Sequence, residues 1–180
     1  MRYRWTEEAF LRAAEAGVFG DQQVELVEGE VWRVVHGTWH GAVTAAVTRA
    51  LPDLDGRYRV TSASLPSAGS VPDPDVWVHR RDAEPVEQLS ARVARWDPQD
   101  VALVVEVSDE TVGAGLGGKA DLYARAGYME YWVVTRRGVH VHAGPGSDRY
   151  REVRLLGPTE QVAVPYASDV ALDVASLVSP

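Results

Sequence analysis

Two carboxylates occupy positions from which they could share a metal ion. Glu106 lies inside the apolar run VALVVEV over residues 101–107. A buried carboxylate there must be paired, protonated or metal-bound, unless it has emerged from the core at the end of the strand. Asp75 follows Pro74 at the head of the preceding apolar segment. On adjacent central strands these two side chains could hold Mg²⁺, which prefers oxygen ligands and can activate a water for attack on a phosphodiester.

Lysine is nearly absent from the chain. Of the 18 basic residues 17 are arginine, and Lys119 is the one lysine. On a predicted helix Lys119 shares a face with Leu116, Tyr123 and Ala126, through steps of three and four residues. This apolar face should pack on the sheet, which directs Lys119 towards the strand of Glu106. An inward lysine needs an anionic partner, whereas the alternative is a lysine that reaches solvent from the start of the helix.

Four other residues are candidates that also have a purely structural interpretation. Glu25 falls in a predicted hairpin strand, where a solvated glutamate is the simpler interpretation. His40 opens a predicted helix and could contact an anion or pack at the helix start. His140 and His142 lie on one strand face, two residues apart, a geometry suited to a metal, although no third ligand is near them in the sequence.

A glycine pattern resembles a dinucleotide-binding fingerprint. Gly113-x-Gly115-x-x-Gly118 lies after a predicted strand and before a predicted helix. However, five residues separate Val107 from Gly113, whereas the first glycine of the fingerprint belongs in the tight turn itself. The strand after the helix ends without an acidic residue that could hold a ribose. The pattern therefore favours a nucleotide site only weakly.

The elements that must position these side chains alternate between helix and strand. Thr6 and Gly17 can begin and end a first helix over 5–16, Pro52 ends a second one that opens at His40, and Gly127 ends a third over about 116–126. Period-2 and apolar segments predict strands at 24–27, 30–35, 57–64, 75–79, 101–107, 131–135, 139–143, 149–155 and 161–164, with a polar loop at 80–100. The predicted fold class is α/β, with a mixed central β-sheet flanked by helices.

Length and composition bound the class of protein. The chain has 180 residues, 26 acidic and 18 basic side chains, a net charge of −8 and no cysteine. This length fits one domain over residues 1–180, and the lack of cysteine excludes a disulfide scaffold and thiolate chemistry. No apolar run approaches the roughly 20 residues that span a bilayer, and no signal peptide is visible. We therefore expect a cytoplasmic protein without a membrane partner.

Several segments together resemble the Uma-two family of the PD-(D/E)XK nuclease superfamily. They are VELVEGEV, PDPDVWV, VALVVEVSD and GGKADLYARAGYMEYWVV, with His40 opening a helix after the first. The similarity runs from the first helix to the closing LDVASLV. Its most specific part is the spacing of Lys119, Tyr123, Gly127 and Glu130-Tyr131-Trp132. The resemblance implies a single restriction-endonuclease-like domain that hydrolyses DNA phosphodiester bonds with Mg²⁺ or Mn²⁺, and a homodimer that cuts both strands.

The resemblance also implies a role for each acidic candidate. Asp75 looks like the aspartate of the PD motif, and Glu106 looks like the acidic residue of the second motif. Both would bind the metal, with the carbonyl of Val107 as a further ligand. Glu25 matches the glutamate of the family's first hairpin, and it would assist the metal or orient water.

The lysine of this superfamily is displaced in the present sequence. The superfamily usually has lysine two residues after the second acidic residue, where this chain has Ser108. Lys119 on the following helix looks like its replacement, and it would stabilise the charge that develops on phosphate and nucleophile. A second departure is Gly115, where the family often has an acidic residue. These departures put the rate of the reaction in question.

Two function classes therefore stay open from the sequence. The first is a metal-dependent endonuclease that acts on DNA. The second is a catalytically inactive nuclease-fold module that binds nucleic acid or a protein partner, which the acidic net charge and Ser108 favour. The polar segment 80–100 could serve either class as an arm that reaches a phosphate backbone, or it could be a solvated loop. Its basic and aromatic side chains are Arg80, Arg81, Arg92, Arg95 and Trp96, with Trp77 just before them.

Overall fold

The computed structural model describes residues 3–109 and 114–179 of the chain. The helices are α1 (Glu7–Glu15), α2 (Thr38–Ala50), α3 (Ala114–Ala126) and α4 (Val174–Val178), and one 3₁₀ turn spans Pro98–Asp100. The strands are β1 (Val24–Val27), β2 (Glu30–Arg33), β3 (Tyr58–Thr61), β4 (Val76–Arg80), β5 (Glu87–Gln88), β6 (Ala94–Arg95), β7 (Val101–Ser108), β8 (Glu130–Thr135), β9 (Gly138–Pro145), β10 (Tyr150–Leu156), β11 (Gln161–Val164) and β12 (Ala167–Asp173).

Six strands form the central sheet, in the order β10-β9-β8-β7-β4-β3. β7 and β8 are parallel and α3 connects them, whereas each of the other neighbouring pairs is antiparallel. The remaining strands pair as β1-β2, β5-β6 and β11-β12. The predicted α/β class with a mixed central sheet and flanking helices is confirmed.

Different helices cover the two faces of this sheet. α2 and α4 pack on one face, where Leu103 and Val105 of β7 belong to the larger core. α3 packs on the other face, where Tyr123 belongs to a second cluster with Val104. Because successive residues of a strand point to opposite faces, Glu106 shares the α3 face with Val104. The fold therefore brings Glu106 under the helix that carries Lys119.

The start of α2 and the end of β3 differ from the predicted boundaries for physical reasons. α2 begins at Thr38 rather than at His40, because Gly37 has an extended backbone and takes the N-cap position. The strand predicted over 57–64 ends at Thr61. Beyond that point the carbonyl of Ala63 accepts a hydrogen bond from the indole of Trp77 at 3.0 Å, a side-chain partner in place of a ladder bond.

The segment 80–100 is more ordered than the predicted loop. It contains the β5-β6 hairpin and the 3₁₀ turn before β7. Arg95 forms ion pairs with Glu7 at 2.6 Å and with Glu87 at 3.0 Å, and Arg80 lies 2.8 Å from Asp82. Two of the four arginines that a phosphate-binding arm would use, Arg80 and Arg95, are therefore already paired with carboxylates. The hairpin is therefore held against the body of the protein through α1.

Among the described helices none is both long enough and apolar enough to cross a membrane. The glycine pattern is only partly described, because Gly113 lies outside the described residues. The side chain of Leu116, which was predicted on the same helix face as Lys119, also lies outside them. Gly118 falls inside α3.

Candidate functional site

Asp75 and Glu106 lie opposite each other at one end of the β4-β7 pair. Val76 pairs with Val105 in this antiparallel ladder, so one further step places Asp75 opposite Glu106. Both residues are buried, with 8% and 5% of their surface exposed. Oδ2 of Asp75 accepts a 2.7 Å hydrogen bond from the backbone N–H of Val107. The structure therefore brings the two acidic candidates together on neighbouring strands.

Lys119 projects from α3 onto this pair of strands. Its Nζ lies 2.8 Å from Oε1 of Glu106 and 2.8 Å from Oε2 of Glu25. The residue is only 7% exposed, so the alternative of a lysine that reaches solvent is wrong. Burial alone would lower the pKa of Lys119, but Glu106 and Glu25 outweigh burial and hold that pKa above its usual value. The ammonium group is therefore charged and joins two carboxylates.

Glu25 is a buried member of the same cluster. Only 5% of its surface is exposed, so a solvated strand glutamate does not describe it. Its Oε2 also accepts a hydrogen bond of 3.2 Å from the backbone N–H of Asp73. β1 therefore places a third carboxylate beside Lys119, and the contact with Asp73 ties β1 to the segment that leads into β4.

Tyr123 adds a second donor to Glu106. Its hydroxyl lies 3.3 Å from Oε1 of Glu106, the same oxygen that accepts from Lys119 at 2.8 Å. The two donors are four residues apart, so one face of α3 presents both. They hold Glu106 by Oε1, and this orientation leaves Oε2 as its oxygen for another ligand.

Three buried carboxylates lie close to one ammonium group, which contacts Glu25 and Glu106 directly. Burial raises the pKa of Glu106 to about 8, Lys119 opposes that rise, and the charges of Asp75 and Glu25 add to it. The site therefore carries more negative charge than Lys119 compensates. A divalent cation bound by carboxylate oxygens would supply the missing positive charge. On this ground the residues fit such an ion.

Two histidines complete the surroundings of Asp75. Nε2 of His40 lies 2.9 Å from Oδ1 of Asp75, and 12% of the His40 side chain is exposed. The rings of His36 and His40 are in contact, with centroids 3.9 Å apart and ring planes tilted by 32°. His40 therefore contacts a carboxylate, beyond the packing role that its place near the helix start indicates. His36 was not among the candidates predicted from the sequence. The one signal for it was its position four residues before His40.

A cleft of about 350 Å³ gives solvent access to this side of Asp75. Its polar lining includes Gln23, whose Nε2 donates to Oδ2 of Asp73 at 2.7 Å. His140 and His142 lie elsewhere, on β9. Within residues 3–109 and 114–179, the group of His, Asp and Glu side chains spaced for a metal is His36, His40 and Asp75. The metal site considered for His140 and His142 is therefore not supported.

One solved structure shares the arrangement of the elements. It is the crystal structure of a protein from Anabaena variabilis, described as "a putative nuclease". The alignment has a TM-score of 0.75 and 18% identity, and it covers 97% of this chain and 98% of that one. At this identity the similarity shows that the two chains have the same fold. The comparison with curated proteins gives no match.

A family model matches the chain over residues 8–175, which include the six strands of the central sheet and the residues around Lys119. The model is described as "Putative restriction endonuclease". This match covers far more than half of the chain and extends from α1 into α4. The chain therefore belongs to the Uma2 family of restriction-endonuclease-like proteins.

Proposed function

We propose that this chain is a metal-dependent endonuclease that hydrolyses DNA phosphodiester bonds. The observation that carries the proposal is the buried cluster of Glu25, Asp75 and Glu106 around the single ammonium group of Lys119. Buried carboxylates without enough positive charge are costly to the fold. Their retention in one cluster is explained if they bind a cation. Membership of the Uma2 family supports the same proposal.

Asp75 and Glu106 are the proposed metal ligands, with the carbonyl of Val107 as a third. The opposed positions of the two carboxylates on β4 and β7 support this assignment. A Mg²⁺ or Mn²⁺ ion bound there would polarise the phosphodiester and lower the pKa of a bound water. Asp75 is held in place from two sides, by the N–H of Val107 and by His40. Its orientation is therefore set before a substrate arrives.

Lys119 is the proposed electrostatic partner of the scissile phosphate. An ammonium group has three N–H donors, and Glu106 and Glu25 accept from it at 2.8 Å each. The third donor can be offered to a phosphate oxygen, where positive charge stabilises the charge that develops during attack. In the nuclease superfamily that the chain resembles, the lysine two residues after the acidic residue would approach the phosphate from the strand. In this chain Lys119 would approach it from α3.

Glu25 is proposed to orient the attacking water or to assist the metal. Its carboxylate is positioned by the N–H of Asp73 and by Lys119. Because positioning and electrostatics supply most of the catalysis of phosphoryl transfer, these four side chains are enough for the reaction. We also propose a homodimer, because one site per chain cuts one strand of a duplex.

The test combines calorimetric titration of Mg²⁺ and Mn²⁺ with nicking of supercoiled plasmid and cleavage of single-stranded DNA. The variants are Asp75→Asn, Glu106→Gln and Lys119→Met, and the matched control is Asp169→Asn at an exposed position of β12. We expect Asp75→Asn and Glu106→Gln to lose cation binding. All three variants should lose nicking by at least about 100-fold, while the control behaves as wild type.

Two results would overturn the catalytic proposal. If the wild-type chain binds a cation but cuts neither DNA, the chain is the non-catalytic nuclease-fold module. If nicking persists in Asp75→Asn and Glu106→Gln, a contaminating nuclease or another site is responsible. Light scattering of the wild-type chain tests the homodimer separately, with a single-chain mass as the contrary result.

A further inference from the structure

We propose that His36, His40 and Asp75 form a binding site for a divalent transition-metal ion, beside the carboxylate cluster. Each of the three side chains offers one ligand atom, and these atoms all lie within 4.8 Å of one another. The proposal goes beyond the proposed nuclease centre and shares only Asp75 with it.

The distances suit an ion. Nε2 of His40 lies 2.9 Å from Oδ1 of Asp75. Two ligands bonded at about 2.1 Å to a tetrahedral ion are about 3.4 Å apart. An ion could therefore replace the hydrogen bond between these two atoms if they moved apart by about 0.5 Å. His36 would complete the site by a small rotation, because it is exposed and its ring already contacts that of His40.

The ligand types define the class of metal. Imidazole nitrogen suits Zn²⁺, Co²⁺, Ni²⁺ and Cu²⁺, whereas Mg²⁺ is bound almost entirely by oxygen. Two imidazoles with one carboxylate therefore select a transition metal, in contrast to the oxygen ligands of Glu25 and Glu106. The carboxylate of Asp73 lies on the same cleft and adds negative charge that attracts a cation.

The site is accessible from solvent on one side. His36 is exposed, while Asp75 is buried with 7% of its side chain exposed. The cleft in front of them also contains Gln23 and Thr44. An ion held by three protein atoms there would keep open coordination positions towards the cleft. These positions could take water or a phosphate oxygen, as in other sites with three protein ligands.

The two proposed sites make separate demands on the chain. His36 belongs only to the transition-metal site, and Glu106 and Lys119 belong only to the carboxylate site. Asp75 belongs to both, and His40 also holds Asp75 in place for the carboxylate site. Substitutions at His36 and at Glu106 can therefore test one site without removing the other.

The experiment is a titration of the full chain with Co²⁺, followed by visible absorption, together with calorimetry with Zn²⁺ and with Mg²⁺. The variants are His36→Gln, His40→Gln and Glu106→Gln, and the matched control is His140→Gln on β9. His36→Gln changes an exposed residue, so it tests the site even if His40→Gln fails to fold. Circular dichroism checks that each variant keeps the wild-type structure.

We expect Co²⁺ and Zn²⁺ to bind the wild-type chain, Glu106→Gln and His140→Gln with similar affinity. His36→Gln and His40→Gln should each weaken Co²⁺ binding by at least about 10-fold. Mutation of a residue that only hydrogen-bonds to a metal ligand already lowers metal affinity by about that factor. Mg²⁺ affinity should be unchanged in His36→Gln.

Three results would overturn the site. They are a Co²⁺ affinity that is unaffected by His36→Gln, one that is lost in Glu106→Gln while both histidine variants bind normally, and one that His140→Gln reduces equally. The two proposals can fail independently. Histidine-dependent Co²⁺ binding without nicking in Mg²⁺ or Mn²⁺ would refute only the nuclease, and nicking without histidine-dependent binding would refute only this site.

Discussion

Nζ of Lys119 lies 2.8 Å from Oε1 of Glu106, and this pair joins α3 to the strand that precedes it in the chain. The two residues lie on consecutive elements of one βαβ unit, so that unit itself brings them together. Glu25 reaches the same ammonium group from the separate β1-β2 hairpin. Lys119 is therefore the point at which two distant parts of the chain meet.

Replacing Lys119 by methionine should destabilise the fold. The change leaves the carboxylate of Glu25 buried without its cation and removes a hydrogen-bond donor from Glu106, a loss of about 3–5 kcal/mol in the free energy of unfolding. Adding Glu106→Gln to the same chain should change that loss little near neutral pH, because Glu106 keeps its proton there. Urea unfolding near neutral pH measures all three proteins. A loss below about 1 kcal/mol in Lys119→Met would contradict the role given to the ammonium group.

The stability of the chain should fall as pH rises from about 4.5 to about 8. Because burial raises the pKa of Glu106 from 4.5 to about 8, the folded state keeps a proton that the unfolded state releases in this range. The stabilisation from that proton is complete below about pH 4.5 and is lost as pH rises through about 8.

Glu106→Gln should remove this part of the pH dependence. The measurement is the free energy of unfolding at several pH values in a chelating buffer. The readout is the difference in slope between the two proteins, because other groups titrate equally in both. Identical slopes would show that Glu106 has an ordinary pKa.

Tyr123→Phe should slow the proposed reaction moderately. It removes one of the two donors to Oε1 of Glu106, so the carboxylate keeps Lys119 and loses part of its orientation. We expect a loss of about 1 kcal/mol of stability and a reduction of kcat of about 10-fold, with KM for DNA unchanged. The matched control is Tyr128→Phe, whose hydroxyl contacts Ser67 instead. Equal effects on kcat in both variants would assign the loss to packing.

Gly138→Ala should be strongly destabilising. Gly138 has φ 145° at the turn into β9, and an added Cβ would lie 2.0 Å from the carbonyl oxygen of Leu156. Backbone of β10 must then move, at a cost of about 3 kcal/mol or more. Gly118→Ala is the comparison, since nothing lies within 4 Å of its added Cβ in α3. It should be neutral or stabilise by up to about 1 kcal/mol, and thermal unfolding distinguishes the two.

The positions of Glu106 and Lys119 could be predicted because local patterns govern them. A single carboxylate in an apolar strand and a single lysine on an apolar helix face each specify a direction. β7, α3 and β8 then form a parallel crossover, a unit with strongly restricted geometry. The alternation of residues along β7 decides which face Glu106 takes.

The surroundings of Asp75 could not be derived in this way. His36 and His40 meet Asp75 through the packing of α2 against the start of β4, and no local spacing encodes that tertiary contact. The burial of Glu25 has the same origin. The hairpin pattern is equally consistent with a solvated glutamate, and only the contact with Lys119 from α3 determines its environment.

The single lysine has a practical consequence for following the protein in solution. A lysine-specific endoprotease has one bond to cut in this chain, after Lys119, and the products would be residues 1–119 and 120–180. That bond lies in α3 with its side chain buried between two carboxylates. Cleavage therefore requires that this helix opens, and its rate reports how often α3 separates from Glu25 and Glu106.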